Sequence, residues 1–319
     1  MDTIVAAICE RENLRANTIT RLSGGQINHV YLVDDRYIVR IGARENACRR
    51  LKRETALLQS LVHDLPVPRV LALGQHKDYA YQVQTFIEGE PLHHLWPDLP
   101  PGQKAHLVGE LATYLQTLHA NAYPGFGPHG DEDHHQSWSE FCKANFYNTL
   151  ADFQALNLVI PPAILKKITD NFKHHKHVLH AAEPVLVHGD LWPGNILVNN
   201  GSISAILDFE FAAQAPRDYE LMLIEQFCLY PNDFAEEDNA IYTTADFADF
   251  FQLLKQHYPA LFAVRDLRER LNLYHIIYSL EACVAWQKTQ PQTKERYLPI
   301  QPLAKVLNFL SAHGTRMTL

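Results

Sequence analysis

Residues 188–195 read His188-Gly189-Asp190-Leu191-Trp192-Pro193-Gly194-Asn195, and a short stretch downstream comes Ile206-Leu207-Asp208-Phe209-Glu210. Asp190 follows an apolar run, Val185–Val187, and a carboxylate so placed can meet a hydroxyl and take its proton. Asn195 adds an amide oxygen and Asp208 a second carboxylate, both hard donors of the kind that suit Mg²⁺. Phosphoryl transfer asks for little else from a protein: a positioned nucleophile, a divalent cation on the phosphate oxygens and cationic support for developing charge. His-Gly-Asp alone is a common turn. Its combination with a spaced Asn and a following apolar-Asp-Phe segment is far more specific.

The elements that must position these groups are legible from periodicity and turn residues. Thr18–Leu22, His29–Val33 and Tyr37–Ile41 read as strands, the last two closing a hairpin around Asp34-Asp35. Glu45–Val62 changes to helical period, with Ala47, Leu51, Ala56, Leu57, Leu58 and Leu61 expected on one face, until Pro66 and Pro68. Val70–Leu73 and Tyr79–Phe86 are two further expected strands. Thr85–Pro91 carries a Gly and a Pro and marks a hinge. Beyond it the pattern is mainly helical: Gln103–Leu118, Trp138–Leu156, Pro162–His177, Leu221–Phe227, Asp246–Gln256 and Leu267–Trp286. This is interrupted by the strand Val185–Val187 and a hairpin around Asn199-Asn200-Gly201, whose Asn-Gly is the strongest hairpin signal in the chain. The fold class expected is α+β.

The Asp190-to-Asn195 spacing equals that of the kinase catalytic loop, and Asp208-Phe209 matches the start of the kinase D-F-G. Together, HGDLWPGN and ILDF resemble the aminoglycoside phosphotransferase family, whose kin include fructosamine, choline and homoserine kinases. The resemblance implies a bilobal protein-kinase-like fold, with a small antiparallel-sheet lobe and one helix over residues 1–88, and a larger, mainly helical, catalytic and substrate-binding lobe over 89–319. It implies that Asp190 is the catalytic base, that Asn195 and Asp208 hold Mg²⁺, and that His188 braces the loop. It also implies a nucleotide site in the first lobe: Ser23, Gly24, Gly25 and Asn28 in the phosphate-covering turn, Arg40 at the strand position where kinases carry Lys, and Glu54 as its partner. Gln84, Thr85 and Ile87 of the linker would sit around the purine, with ATP or GTP left open. The Gly-Gly turn is not a Walker A loop, and a plain hairpin turn explains it equally well. Glu210 stands where protein kinases have Gly, and Arg for Lys at position 40 changes the shape of the phosphate contact.

The implied activity is transfer of the γ-phosphate to a hydroxyl of a small molecule. The acceptor is first an aminoglycoside or related amino-sugar or amino-alcohol, with fructosamine, choline, homoserine or a sugar as the alternative. An inactive nucleotide-binding regulator is a rival that the intact Asp190, Asn195 and Asp208 oppose. The short run between Asp208 and the helix at Leu221 leaves no room for the activation segment of a protein kinase.

With 28 basic and 36 acidic residues the chain carries a formal charge of −8, which argues against nucleic-acid binding. The acidic runs 131–133 and 236–238 are candidate contacts for a cationic acceptor or simply solvated loops. Five scattered cysteines and no C-x-x-C pair are expected as buried free thiols of a reducing, cytoplasmic setting. The paired histidines at 93–94, 134–135 and 174–177 are expected at the surface, without metal. No membrane segment is expected.

Overall fold

The computed structural model describes residues 1–22, 29–42, 47–158, 160–179, 183–234, 241–289, 300–311 and 316–319. Helix α1 (Asp2–Arg11) precedes strands β1 (Ile19–Arg21), β2 (His29–Val33) and β3 (Tyr37–Gly42). Helix α2 (Ala47–Leu61) and strands β4 (Val70–His76) and β5 (Tyr79–Thr85) follow. The five strands make one antiparallel sheet in the order β1-β2-β3-β5-β4.

Strand alternation gives this sheet two different faces. Val39 and Ile41 of β3, with Tyr81 and Val83 of β5, join Val5, Ile8 and Cys9 of α1 in a buried apolar cluster. The residues between them, Arg40, Gln82 and Gln84, lie on the α2 side, where Ala80 packs on Ala47 and Leu51. Helix α1 is a second helix where one was expected. Its Val5, Ile8 and Cys9, spaced as one helical face, are the sequence signal for it. On α2 the buried stripe includes Ala47, Leu51, Glu54 and Leu58, whereas Ala56, expected on that face, is exposed.

The chain continues through β6 (Glu90–Pro91), α3 (Leu92–Leu95), α4 (Pro101–Leu118), β7 (Gly127–Pro128), α5 (Trp138–Ala155), α6 (Pro162–His175), β8 (Val185–Val187), β9 (Ile196–Asn199), β10 (Ser202–Ile206) and β11 (Ala213–Ala215). It ends with α7 (Leu221–Leu229), α8 (Ala248–His257), α9 (Pro259–Phe262), α10 (Leu267–Thr289) and α11 (Ile300–Leu310). Two small sheets have the orders β10-β9-β6 and β7-β11-β8. The β9–β10 turn places Asn200 at φ 50° and Gly201 at φ 82°, the left-handed pair that a two-residue hairpin needs.

The chain forms two compact units built from interleaved segments: Met1–Thr117 with His188–Ala212 and Pro231–Phe247, and Leu118–Val187 with Ala213–Tyr230 and Ala248–Leu319. The first unit therefore gathers the five-stranded sheet and the whole His188–Glu210 segment. In the second unit several buried charges are paired. Arg270 grips Asp218 at 2.6 and 2.9 Å, and Glu225 is held by Arg268 at 2.7 Å and His275 at 2.8 Å. All five cysteines are free, four of them buried. Among the paired histidines, His174 and His177 are exposed as expected, but His93 is buried, its ring 5.0 Å from that of Trp192. No helix among the described residues is long and apolar enough to cross a membrane.

Candidate active site

The loop after Val187 is fixed by its own side chains. His188 is buried, and its Nε2 lies 2.8 Å from the carbonyl oxygen of Leu207 while its Nδ1 accepts the Asp190 N–H at 3.2 Å. Together these contacts assign the proton to Nε2. One imidazole thus ties the start of the loop to the residue before Asp208. Gly189 sits at φ +78°, and a Cβ there would overlap the carbonyl of Phe211. Only glycine combines that backbone conformation with so close an approach. Asn195 Nδ2 donates to the Asp190 backbone oxygen at 2.8 Å and to Asp190 Oδ2 at 3.3 Å, and the Leu207 N–H returns to the Asn195 carbonyl at 2.8 Å. The loop and the β9–β10 hairpin therefore present Asp190, Asn195 and Asp208 from a shared hydrogen-bonded frame. Asp208 itself has φ 63°, a left-handed conformation that costs a non-glycine residue energy and recurs at functional sites.

Arg40 is the electrostatic centre of the first unit. Its Nη1 donates to Glu54 Oε1 at 2.5 Å, and its Nη2 reaches Asp208 Oδ1 at 2.9 Å and Glu210 Oε2 at 3.3 Å. Burial works against the Arg40 charge, but the carboxylates of Glu54, Asp208 and Glu210 more than offset it, and the guanidinium is held firmly protonated. Burial pushes the Glu54 carboxyl up, with Arg40 opposing and Asp208 adding to the rise. Its Oε2 accepts no hydrogen bond among the described residues. Arg50 Nε of α2 lies 2.7 Å from Glu210 Oε1, an ionic contact rather than an aligned hydrogen bond. From the sequence, Glu210 was noted only as standing where protein kinases have Gly, and Arg50 was given no role. The signal was there: a carboxylate two residues beyond Asp208, and an arginine one helical turn before Glu54.

The linker residues are placed as follows. Gln84 is buried and starts a polar chain: its Nε2 donates to Gln82 Oε1, Gln82 Nε2 to Thr55 Oγ1, and Thr55 Oγ1 to the Leu51 carbonyl. The Thr85 N–H donates to the Arg69 carbonyl at 3.0 Å, and its Oγ1 accepts the Arg69 N–H at 3.1 Å. Ile87 is half-buried just beyond β5. Ser23, Gly24, Gly25 and Asn28, like the acidic run 236–238, lie outside the described residues; the run 131–133 is in a largely exposed loop.

The donor set fits a small hard cation. Asn195 spends its Nδ2 on Asp190, which leaves its Oδ1 for a ligand. Asp208 is the least buried of the Arg40 partners, its side chain 39% exposed. One amide oxygen and one carboxylate, completed by phosphate oxygens and water, are what Mg²⁺ takes.

Comparison with known proteins places these residues in context. The model of the phosphotransferase enzyme family (APH) matches residues 18–261. A probable ketoamine kinase of Vibrio parahaemolyticus is 26% identical over 274 residues, covering 81% of this chain and 84% of that protein. A probable ketoamine kinase of Vibrio vulnificus is 23% identical over 274 residues, covering 80% and 83%. Among solved structures, the gentamicin complex of APH(2'')-IIa superposes with a TM-score of 0.70 at 17% identity, covering 97% of this chain and 96% of that one. A thermostable mutant of APH(4)-Ia in complex with ADP and hygromycin B gives a TM-score of 0.70 at 19% identity, covering 98% and 100%. The α+β fold is thus the protein-kinase-like fold of the aminoglycoside phosphotransferases.

Proposed function

We propose, from the premise that the chain belongs to the phosphotransferase enzyme family, that this small-molecule kinase moves the γ-phosphate of ATP or GTP to a hydroxyl of a ketoamine, an amine carrying a sugar-derived keto group. The observation that carries the reaction is the convergence of Asp208, Glu54 and Glu210 on Arg40, in the same unit as the Asp190–Asn195 pair. The ketoamine reading is supported by relatives called probable ketoamine kinases, which match over about four-fifths of both chains. A second reading, an aminoglycoside acceptor, is supported by the fold shared with the gentamicin and hygromycin B complexes. Both readings name an acceptor that carries hydroxyl and amine groups.

In this reading Asp190 accepts the hydrogen bond of the acceptor hydroxyl, aims its oxygen at the γ-phosphorus and takes the proton as the new O–P bond forms. Asn195 keeps the Asp190 side chain in place through its Nδ2 contact. His188 keeps the peptide between them and Leu207 from shifting. Arg40 offers its guanidinium to the phosphates, steered by Glu54, and Arg50 and Glu210 fix the far side of that arrangement. Mg²⁺, held by Asn195 and Asp208, would neutralise the charge on the phosphate oxygens. The γ-phosphoryl group leaves the nucleoside diphosphate as it joins the acceptor, so ADP or GDP and a phosphate ester are the products.

The test is Mg²⁺-dependent nucleotide consumption, with ATP and with GTP, across fructosyl-amines, aminoglycosides, choline, homoserine and simple sugars. Phosphate ester formed selectively on a fructosyl-amine is the expected result. Turnover only on aminoglycosides overturns the ketoamine reading in favour of the second, and turnover only on choline, homoserine or a simple sugar overturns both.

A further inference from the structure

The second unit contains a groove between two of its helices that has been given no role so far. Helices α5 and α10 line a cavity of about 290 Å³ with Asn145, Asn148 and Asp152 on one side and Glu281, Val284 and Lys288 on the other. Each set follows helical spacing, so each helix shows the groove a single stripe. Lys288 Nζ donates to Asp152 Oδ2 at 2.8 Å. That pair cancels its own charge, and Glu281 is left as the uncompensated one.

Glu281 is half-buried and differs from the buried carboxylates of the second unit. Asp218 has Arg270, Glu225 has Arg268 and His275, and Glu220 has His119 at 3.4 Å. Among the described residues Glu281 accepts no hydrogen bond and forms no ion pair. Burial alone pushes its carboxyl up to about 7. The ionisable groups that feel its charge are a buried thiol, Cys142, and the buried phenol of Tyr219; neither supplies a cation. A desolvated carboxylate without a partner is expensive to keep. This one is at the wall of a cavity, where a ligand can reach it.

We propose that the α5–α10 groove binds the ammonium group of a small organic amine, with Glu281 as counter-ion. An ammonium has three N–H donors. Glu281 takes one, the side-chain amide oxygens of Asn145 and Asn148 take the others, and Val284 packs against the alkyl chain. The charge attraction acts in a partly dehydrated groove, where it is stronger than in water. An anion is disfavoured by the same carboxylate. The lining residues all belong to the second unit.

The experiment is calorimetric or NMR titration of the full chain with n-hexylamine at a pH of about 8, above the Glu281 value, with 1-hexanol as the neutral control. The expected result is one saturable amine site and none for the alcohol. Glu281→Gln should weaken the amine at least tenfold, about the worth of one charge-assisted hydrogen bond, while its thermal shift with ATP matches that of the parent. Asn148→Ala, at an exposed rim position, should weaken it about threefold to tenfold and covers the case in which the Gln variant folds poorly. Equal amine affinity in all three proteins, equal binding of the alcohol, or no saturable binding in the millimolar range overturns the proposal. Displacement of the amine by low millimolar Mg²⁺ alone reassigns the groove to an inorganic cation and overturns it as well.

Discussion

Glu281→Gln makes a prediction about stability that the structure allows to be worked through. The ordinary glutamate value is 4.5, and burial pushes the folded-state carboxyl up to about 7. The folded protein therefore holds this proton more tightly than the unfolded chain does. The stabilisation from the protonated carboxyl is fully present below about 4.5 and is lost as the pH rises through about 7. A difference of about 2.5 units, at 1.36 kcal/mol each, comes to about 3 kcal/mol. This is an upper figure, because part of the side chain still meets water. Glutamine mimics the neutral acid and has nothing to lose. The variant should match the parent near pH 4.5 and exceed it near pH 8, where ~3 kcal/mol corresponds to roughly 6–12 °C in Tm for a cooperative unit of 150–250 residues. Differential scanning calorimetry of both proteins from pH 4.5 to 8 measures this. All other titrating groups are common to the two proteins, so the difference isolates Glu281. A Tm difference that stays constant across the range, or one that favours the parent at high pH, refutes the reasoning.

Asp190→Ala should lower turnover by roughly 10²–10⁴, the usual worth of a positioned base, with nucleotide affinity nearly intact by calorimetry; comparable turnover removes Asp190 from its role. Asp208→Ala should abolish the Mg²⁺ dependence of nucleotide binding, and affinity that still follows Mg²⁺ in that variant sinks the metal assignment. Arg40→Met leaves the carboxylates of Glu54, Asp208 and Glu210 facing one another, and a loss of about 3–5 kcal/mol is expected from so incomplete a buried network; denaturant titration at neutral pH giving under about 1 kcal/mol shows that Arg40 does not neutralise them. Gly189→Ala forces a Cβ against the Phe211 carbonyl at φ +78°. It should cost at least ~1–2 kcal/mol for the left-handed backbone alone and lower turnover through Asp190. A stable, fully active alanine variant shows that the loop does not need this conformation.

The sequence by itself determined the reaction class, because phosphoryl transfer depends on few groups and those groups are close together in the chain. His188, Gly189, Asp190 and Asn195 all sit in one turn, and the Asn-Gly hairpin that delivers Asp208 is a local signal in a two-residue turn. The strands of the five-stranded sheet were legible for the same reason: alternation and turn residues are properties of neighbouring positions. Pairing was another matter. That Arg40 lies on the polar face of β3 follows from its parity with Val39 and Ile41, but which carboxylates meet it was decided by tertiary packing. Glu54 arrives from a helix stripe it shares with Leu51 and Leu58. Asp208 and Glu210 arrive from a segment 168 and 170 residues away in the chain. Glu210 could not be told from a solvated acid until Arg40 and Arg50 were seen on either side of it. His93, Gln84 and Glu281 show the same limit in reverse. Their types suit a surface, a purine edge or a helix face, and burial against neighbours distant in sequence gave them a tilted ring contact, a link in a polar chain and an unpaired charge. Local physics fixes what a residue is able to do, while burial and the partner across the core decide what it does, since both depend on contacts that sequence spacing does not encode.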